Sequence, residues 1–158
     1  MLETLVIWVH NMAWAVYLGG AISMELVLRH AQQFMRGSQV AVVCQNSGRK
    51  YRWLSLACLI ILLVTGLMRV TWVQMTQSEM VLLFGALLLW SLLVGILALL
   101  ALHIHPEMHL RVSSSMTEEE VRTERKRVGV AIQRMDFWVR AELMIAVLAM
   151  MVGTAMAI

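Results

Sequence analysis

The stretch "VIWVHNMAWAVYLGG", residues 6–20, places His10 in a segment that is otherwise apolar enough to lie in a lipid bilayer. A titratable imidazole in hydrocarbon is costly, so a histidine at such a position indicates a functional role and needs a partner. Trp14 and Tyr17 follow His10 at helical spacing and share its face. We therefore expect His10 to point into the protein or into a cofactor. The structural alternative is a neutral histidine that is hydrogen-bonded to a neighbouring helix.

Methionines and one arginine are predicted at the same membrane level as His10. Thioether sulfur and imidazole both bind copper, so His10, Met12 and Met68 form a candidate copper site. Arg69, the one basic residue at this level, is a candidate partner for a haem propionate. Methionine also fills helix interfaces, and packing is the alternative for each methionine. The rest of this group comprises Met75, Met80, Met150, Met151 and Met156.

A second group of histidines is predicted at the opposite membrane level. The segment "HIHPEMH" carries His103, His105 and His109, and His30 is expected at the same depth. Several imidazoles together with the carboxylate of Glu107 can bind copper or another divalent metal. The alternative is a solvated turn at the membrane interface.

Two carboxylates, Glu25 and Glu142, lie about one turn inside that same boundary. Arg29 is close to Glu25 along the chain, and Arg140 is close to Glu142. The pattern favours charge pairs that anchor the helix ends, with a proton path or a metal entry route as the alternative.

The elements that carry these residues are predicted as membrane-spanning helices. The chain is 60% hydrophobic and 15% charged, which is outside the usual range for a soluble domain. Four apolar runs are long enough to cross a bilayer, and we expect helices at about residues 5–28, 53–73, 80–102 and 118–157. The predicted fold is a single all-α domain, an integral membrane antiparallel four-helix bundle. Between the first two helices we expect breaks at Gly37 and again at Gly48.

The last helix is predicted to extend well beyond the membrane. Thr117 and Glu120 form a capping-box pattern, and an apolar stripe then continues without interruption into the fourth span. This stripe needs cover, either from the first loop or from another subunit.

The distribution of Lys and Arg predicts the orientation. All of the thirteen basic residues except Arg69 lie in or beside the first and third loops. The positive-inside rule then places those loops in the cytoplasm and both termini in the periplasm of a bacterial inner membrane. A basic face toward anionic lipid explains the net charge of +3, and no nucleic-acid partner is implied. Cys44 and Cys58 fall at different depths, so we predict neither a disulfide nor a cysteine metal site.

Three segments resemble one family of membrane proteins. His10, Tyr17 and the pair Gly19 and Gly20 match an H-x6-aromatic-x-G-G pattern in the first helix of the copper-resistance protein D (CopD) family. "RKYRWLSLACLIILLVTGL" is similar to the start of the next helix in that family, and "RMDFWVRAELMIAVLAMM" is similar to its last. The resemblance implies copper uptake or tolerance. The family has four-helix relatives, the HemJ-type protoporphyrinogen oxidases. A resemblance to these relatives implies a b-type haem in this chain, with His10 as the expected ligand.

Three functions remain open at this point. The first is a CopD-like protein that binds or transports copper through His10, Met12 and Met68, with the second histidine group as an exit site. The second is a b-type haem protein with His10 as axial ligand and Arg69 near a propionate. The third is a non-catalytic subunit that docks onto other membrane subunits through helix 4 and its extension. No second histidine lies deep in a predicted span, which argues against a haem held between two histidines.

Overall fold

In the computed structural model the chain forms four long helices that pack as a bundle. The structure describes residues 1–32, 34, 37–72, 76–104 and 117–155. Helix α1 covers Leu2–Ile22 and continues through a π-helical segment, Ser23–Leu28, into Arg29–Gln32. Helix α2 covers Gly37–Trp72. Helix α3 covers Gln77–Leu99 and ends in a π-helical segment, Leu100–Ile104. Helix α4 covers Glu118–Ala155.

Each of the four helices is long and apolar enough to cross a membrane. The all-α, four-helix prediction is therefore confirmed, and the chain has the character of a multi-pass membrane protein. Large apolar side chains such as Trp8, Phe84 and Met144 are exposed on the outside of the bundle. A surface of this kind is stable only when it faces lipid or another apolar partner.

Helix α2 begins sixteen residues earlier than predicted, at Gly37 rather than at Trp53. The predicted break at Gly48 is wrong, because the helix passes through this residue without a positive φ angle. Glycine weakens a helix interior by about 1 kcal/mol, but it ends a helix only when tertiary contacts do not compensate. Gly48 lines a small cavity against α3 and α4, and its neighbour Ser47 is half-buried.

The structure confirms the predicted capping box at the start of α4. The backbone N–H of Thr117 donates to Glu120 Oε2 at 2.7 Å, and the backbone N–H of Glu120 donates to Thr117 Oγ1 at 3.4 Å. At 1.5 Å per residue the 38 residues of α4 are about 57 Å long, well beyond a hydrocarbon core. Part of its apolar stripe is covered within the chain, since Val128 is 4% exposed and Ile132, Met135 and Val139 are half-buried.

The bundle closes around a core to which all four helices contribute. The most extensive contacts join α1 to α2 and α3 to α4, and α1 also packs on α4. Ala13, Tyr17, Leu59, Leu93 and Ala146 meet at the centre and are buried.

One glycine permits the close approach of α1 and α2. A Cβ atom at Gly20 would lie 2.8 Å from Cε2 of Tyr51, which is closer than real Cβ contacts allow. At Gly19 a Cβ would meet nothing within 4 Å. Only the second glycine of this pair is therefore required by packing.

Candidate functional site

The partner of His10 is a threonine on the neighbouring helix. His10 Nδ1 lies 2.7 Å from Oγ1 of Thr65, and this hydrogen bond joins α1 to α2. The His10 ring also lies against Gly66, where a Cβ would be 3.8 Å from Cε1 of the imidazole. The sequence analysis did not identify Thr65, because a threonine followed by a glycine in an apolar helix does not indicate a partner for His10.

The hydrogen bonds of Thr65 decide which nitrogen of His10 carries the proton in the neutral ring. A hydroxyl has one proton, and that of Thr65 is donated to the carbonyl oxygen of Ile61 at 2.6 Å. With this proton engaged, Thr65 Oγ1 is an acceptor for His10, and the matching neutral tautomer carries its hydrogen on Nδ1 and keeps a lone pair on Nε2. No described residue forms a hydrogen bond with Nε2. This arrangement is the one that a metal-ligating histidine needs, since its second nitrogen is usually fixed by a hydrogen bond.

His10 lines a partly enclosed cavity that we call the His10 cavity, to which all four helices contribute. Its volume is about 150 Å³. Trp14 and Trp90 form aromatic walls, and the indole N–H of Trp90 is satisfied by the carbonyl oxygen of Leu59 at 2.9 Å. Small residues at the wall leave the space open, namely Gly66, Ala86, Ala149 and Gly153. Leucines and Val70 supply most of the remaining surface.

Two charged side chains also border the His10 cavity, Arg69 from α2 and Glu79 from α3. The Glu79 carboxylate accepts from the backbone N–H and from the hydroxyl of Thr76, both at 2.7 Å, and this capping box opens α3. The role of Glu79 is therefore to cap α3. The T-x-x-E pattern that predicts the start of α4 also occurs here, at Thr76 and Glu79. Arg69 is half-buried and makes no ion pair with any described residue.

The two methionines predicted as copper ligands do not border the His10 cavity. Met12 is 56% exposed, because it is two residues from His10 and so lies on another face of α1. Met68 is half-buried in α2 but is not among the described lining residues. Met80, Met150 and Met151 are all exposed. Met75 and Met156 lie outside the described residues.

The second histidine group is only partly described. His30 is exposed, and its ring contacts that of Phe34 edge to face, with the centroids 5.3 Å apart. His103 is exposed in the π-helical end of α3. His105, His109 and Glu107 lie outside the described residues. Within the described part of the chain, no three His, Cys, Asp or Glu side chains are grouped closely enough to hold a metal ion.

The two carboxylates of the sequence prediction have different partners. Glu25 pairs across the helices with Arg140, whose Nε lies 2.9 Å from Glu25 Oε1, at a partly exposed position. Glu142 is only 1% exposed and accepts a hydrogen bond from the hydroxyl of Tyr17 at 2.6 Å. Arg140 thus pairs with Glu25 and not with Glu142, beside which the sequence placed it. Glu142 is a buried group of another kind.

No protein-family model, no curated protein and no solved structure matches this chain.

Proposed function

We propose that this chain is a bacterial inner-membrane redox protein that binds a b-type haem in the His10 cavity, with His10 as axial ligand. The observation that carries the proposal is the His10–Thr65 hydrogen bond, which engages Nδ1 and leaves Nε2 without a described partner on a residue that lines the cavity. When bound, haem supplies one-electron chemistry at its iron. The resemblance of the first helix to the CopD family, whose HemJ-type relatives carry a haem, agrees with this choice of ligand.

The walls of the His10 cavity suit an amphipathic, planar ligand. Trp14, Trp90 and the leucines provide an apolar surface, which is the usual lining of a cofactor site. Arg69 supplies a guanidinium without an ion-pair partner among the described residues, and a guanidinium is well matched to a carboxylate such as a propionate. A cavity of about 150 Å³ holds an object the size of a benzene ring. A bound macrocycle would therefore occupy the cavity only in part and would extend through its open side.

Copper fits the described residues less well than haem does. Copper sites combine imidazole nitrogen with thioether or thiolate sulfur. The described lining of the His10 cavity contains the imidazole but no sulfur, and the Met12 side chain is turned away from it. A single nitrogen ligand beside a guanidinium is a poor site for a bare cation.

The orientation belongs to the same proposal. The bias of Lys and Arg toward the first and third loops supports periplasmic termini and a cytoplasmic extension of α4. The His10 cavity then lies toward the periplasmic side, and the Glu25–Arg140 pair toward the cytoplasm.

An optical spectrum of the protein purified in detergent tests the haem directly. We expect a Soret band that shifts on reduction, together with iron at a stoichiometric level in elemental analysis. His10→Ala should remove the band. His30→Ala is the matched control, because His30 is exposed and contacts Phe34. A protein without a Soret band, or a band that survives His10→Ala, overturns the proposal.

A cavity-filling variant tests where the haem binds. Gly153 lines the His10 cavity and has open space at its Cβ position, so Gly153→Leu should reduce haem occupancy. Gly95 also has open space but is exposed on α3, so Gly95→Leu should retain the haem. Equal occupancy in the two variants would place the haem elsewhere.

Cysteine labelling tests the orientation in a Cys44→Ser, Cys58→Ser background. Thr4→Cys and Arg125→Cys both introduce exposed thiols, at opposite ends of the predicted topology. A membrane-impermeant maleimide applied to spheroplasts should label the first and should reach the second only after lysis. The reverse pattern would overturn the orientation and leave the haem proposal intact.

A further inference from the structure

A second buried polar cluster lies apart from the His10 cavity, where α1, α2 and α4 meet. Its members are Tyr17, Tyr51, Ser55 and Glu142. Tyr17 and Ser55 are 0% exposed and Glu142 is 1% exposed. None of these residues takes part in the proposed haem site.

Three polar atoms of this cluster lack a hydrogen-bond partner among the described residues. They are the hydroxyl of Tyr51, the hydroxyl of Ser55 and Oε2 of Glu142. A buried polar atom without a partner costs about 1–3 kcal/mol, and proteins usually satisfy such atoms with ordered water. The Tyr51 and Ser55 hydroxyls are neighbours, and together with Glu142 Oε2 they favour a small ligand that can both donate and accept hydrogen bonds.

A hydrogen bond, helix packing and a shared cavity place the four residues in one region of the bundle. Tyr17 donates to Glu142 Oε1, which leaves Oε2 as the free oxygen. The ring of Tyr51 lies against Gly20, one turn along α1 from Tyr17. Ser55 follows Tyr51 by one turn on the same face of α2.

Tyr51 and Glu142 both line a cavity of about 40 Å³, which we call the Glu142 cavity. A cavity needs about 10–15 Å³ to hold one water molecule, so this one has room for about three or four. It is bordered by Gly48 and Arg52 of α2, by Leu100 and Ile104 of α3, and by Met135 of α4. These residues lie toward the helix ends that carry the Glu25–Arg140 pair, so the cavity leads from that end inward to Glu142.

We propose that the Glu142 cavity binds water and that Glu142 exchanges a proton with this water, which makes the cluster a proton-exchange site inside the bundle. The site is independent of the haem. In the exchange, a hydronium ion in the cavity transfers a proton to Glu142 Oε2 and becomes water, and the reverse transfer releases the proton. Tyr17 holds the carboxyl group in place throughout through Oε1.

The groups that face Glu142 are consistent with this exchange. From α1 it meets the Tyr17 hydroxyl, and from α2 the Tyr51 hydroxyl and, at the cavity border, the Arg52 guanidinium. The Cys58 thiol packs in the same core as Tyr17. Helix α3 contributes only apolar side chains to the described cavity lining. Arg52 donates to the carbonyl oxygen of Leu100 at 3.5 Å rather than forming an ion pair with Glu142 in the structure.

Infrared spectroscopy of the full-length protein in detergent, recorded over a range of pH in H₂O and D₂O, tests the site. We expect a carbonyl band of a protonated carboxyl group that titrates with pH and shifts within the mixing time in D₂O. Glu142→Gln should remove this band, while Glu25→Gln should retain it. A band that is absent from the wild type at every pH, or that persists in Glu142→Gln, overturns the proposal.

Cavity filling provides a second test that does not alter Glu142. Gly48 lines the Glu142 cavity and has open space at its Cβ position, so Gly48→Leu should expel water and slow the D₂O shift to minutes or longer. Gly129→Leu is the control, because Gly129 is exposed and its Cβ position is also open. If the wild-type band itself exchanges as slowly as that of Gly48→Leu, the cavity is dry and the proposal fails.

Discussion

The Tyr17 hydroxyl donates to Glu142 Oε1 across 2.6 Å, and both side chains are fully buried where α1 packs on α4. The bond joins residues 125 positions apart in the chain. In an apolar interior a hydrogen bond to a carboxyl group is strong, and the same low dielectric makes its loss costly. The Tyr17–Glu142 hydrogen bond thus joins the first and last helices and sets the position of one along the axis of the other.

Tyr17→Phe removes this donor and leaves both oxygens of Glu142 without a described partner. We expect a loss of about 1–3 kcal/mol in unfolding free energy. Glu142→Leu together with Tyr17→Phe should recover part of the loss, because no polar atom is then stranded. Unfolding of the two single variants and the double variant in detergent measures the coupling. Additive effects would show that the hydrogen bond contributes nothing specific.

Gly20→Ala should destabilise the protein relative to Gly19→Ala. Both substitutions favour a helix by up to about 1 kcal/mol. At position 20 the new methyl group meets the Tyr51 ring, and overpacking of this kind costs about 1–3 kcal/mol. Thermal unfolding of the two variants in the same detergent makes the comparison. If Gly20→Ala is as stable as Gly19→Ala, the Tyr51 ring moves aside without cost.

Thr65→Val should weaken haem binding while leaving the His10 side chain in place. Valine has the shape of threonine but cannot accept the Nδ1 hydrogen bond, so the imidazole loses its fixed orientation. Loss of such a supporting contact lowers ligand affinity by roughly 10–100-fold. Thr71→Val is the matched control, since the Thr71 hydroxyl is exposed and donates to the Met68 carbonyl oxygen. Haem titration of the apoprotein measures the affinity, and an equal affinity in both variants contradicts the proposed role of Thr65.

Thr117→Ala should loosen the first turns of α4. Loss of an N-cap side chain costs roughly 0.5–2 kcal/mol of helix stability. Thr123→Ala is the control, because Thr123 lies inside the same helix, where its hydroxyl bonds to the Glu119 carbonyl oxygen and alanine is tolerated. Hydrogen exchange of the amides in residues 118–125 reports the difference. Equal protection in the two variants would mean that tertiary contacts, and not the cap, hold the start of α4.

The sequence alone determined the features that arise from local chemistry. Long apolar runs predicted four membrane-spanning helices, because backbone groups in lipid must be bonded within the segment. The T-x-x-E pattern predicted the start of α4 at Glu118, since both partners of a capping box are three residues apart. The helical spacing of the apolar stripe after it predicted an unbroken helix, which α4 is.

Tertiary structure decided the features that depend on distant residues. It kept α2 helical through Gly48, because the packing of α2 on α1 along its length outweighs the low helix propensity of one glycine. It also selected Thr65 for His10 and Tyr17 for Glu142, although the sequence offered several polar residues at similar depths. Depth follows from position in a helix, whereas a hydrogen-bond partner depends on how each helix is rotated about its axis. That rotation is set by the packing of all four helices together.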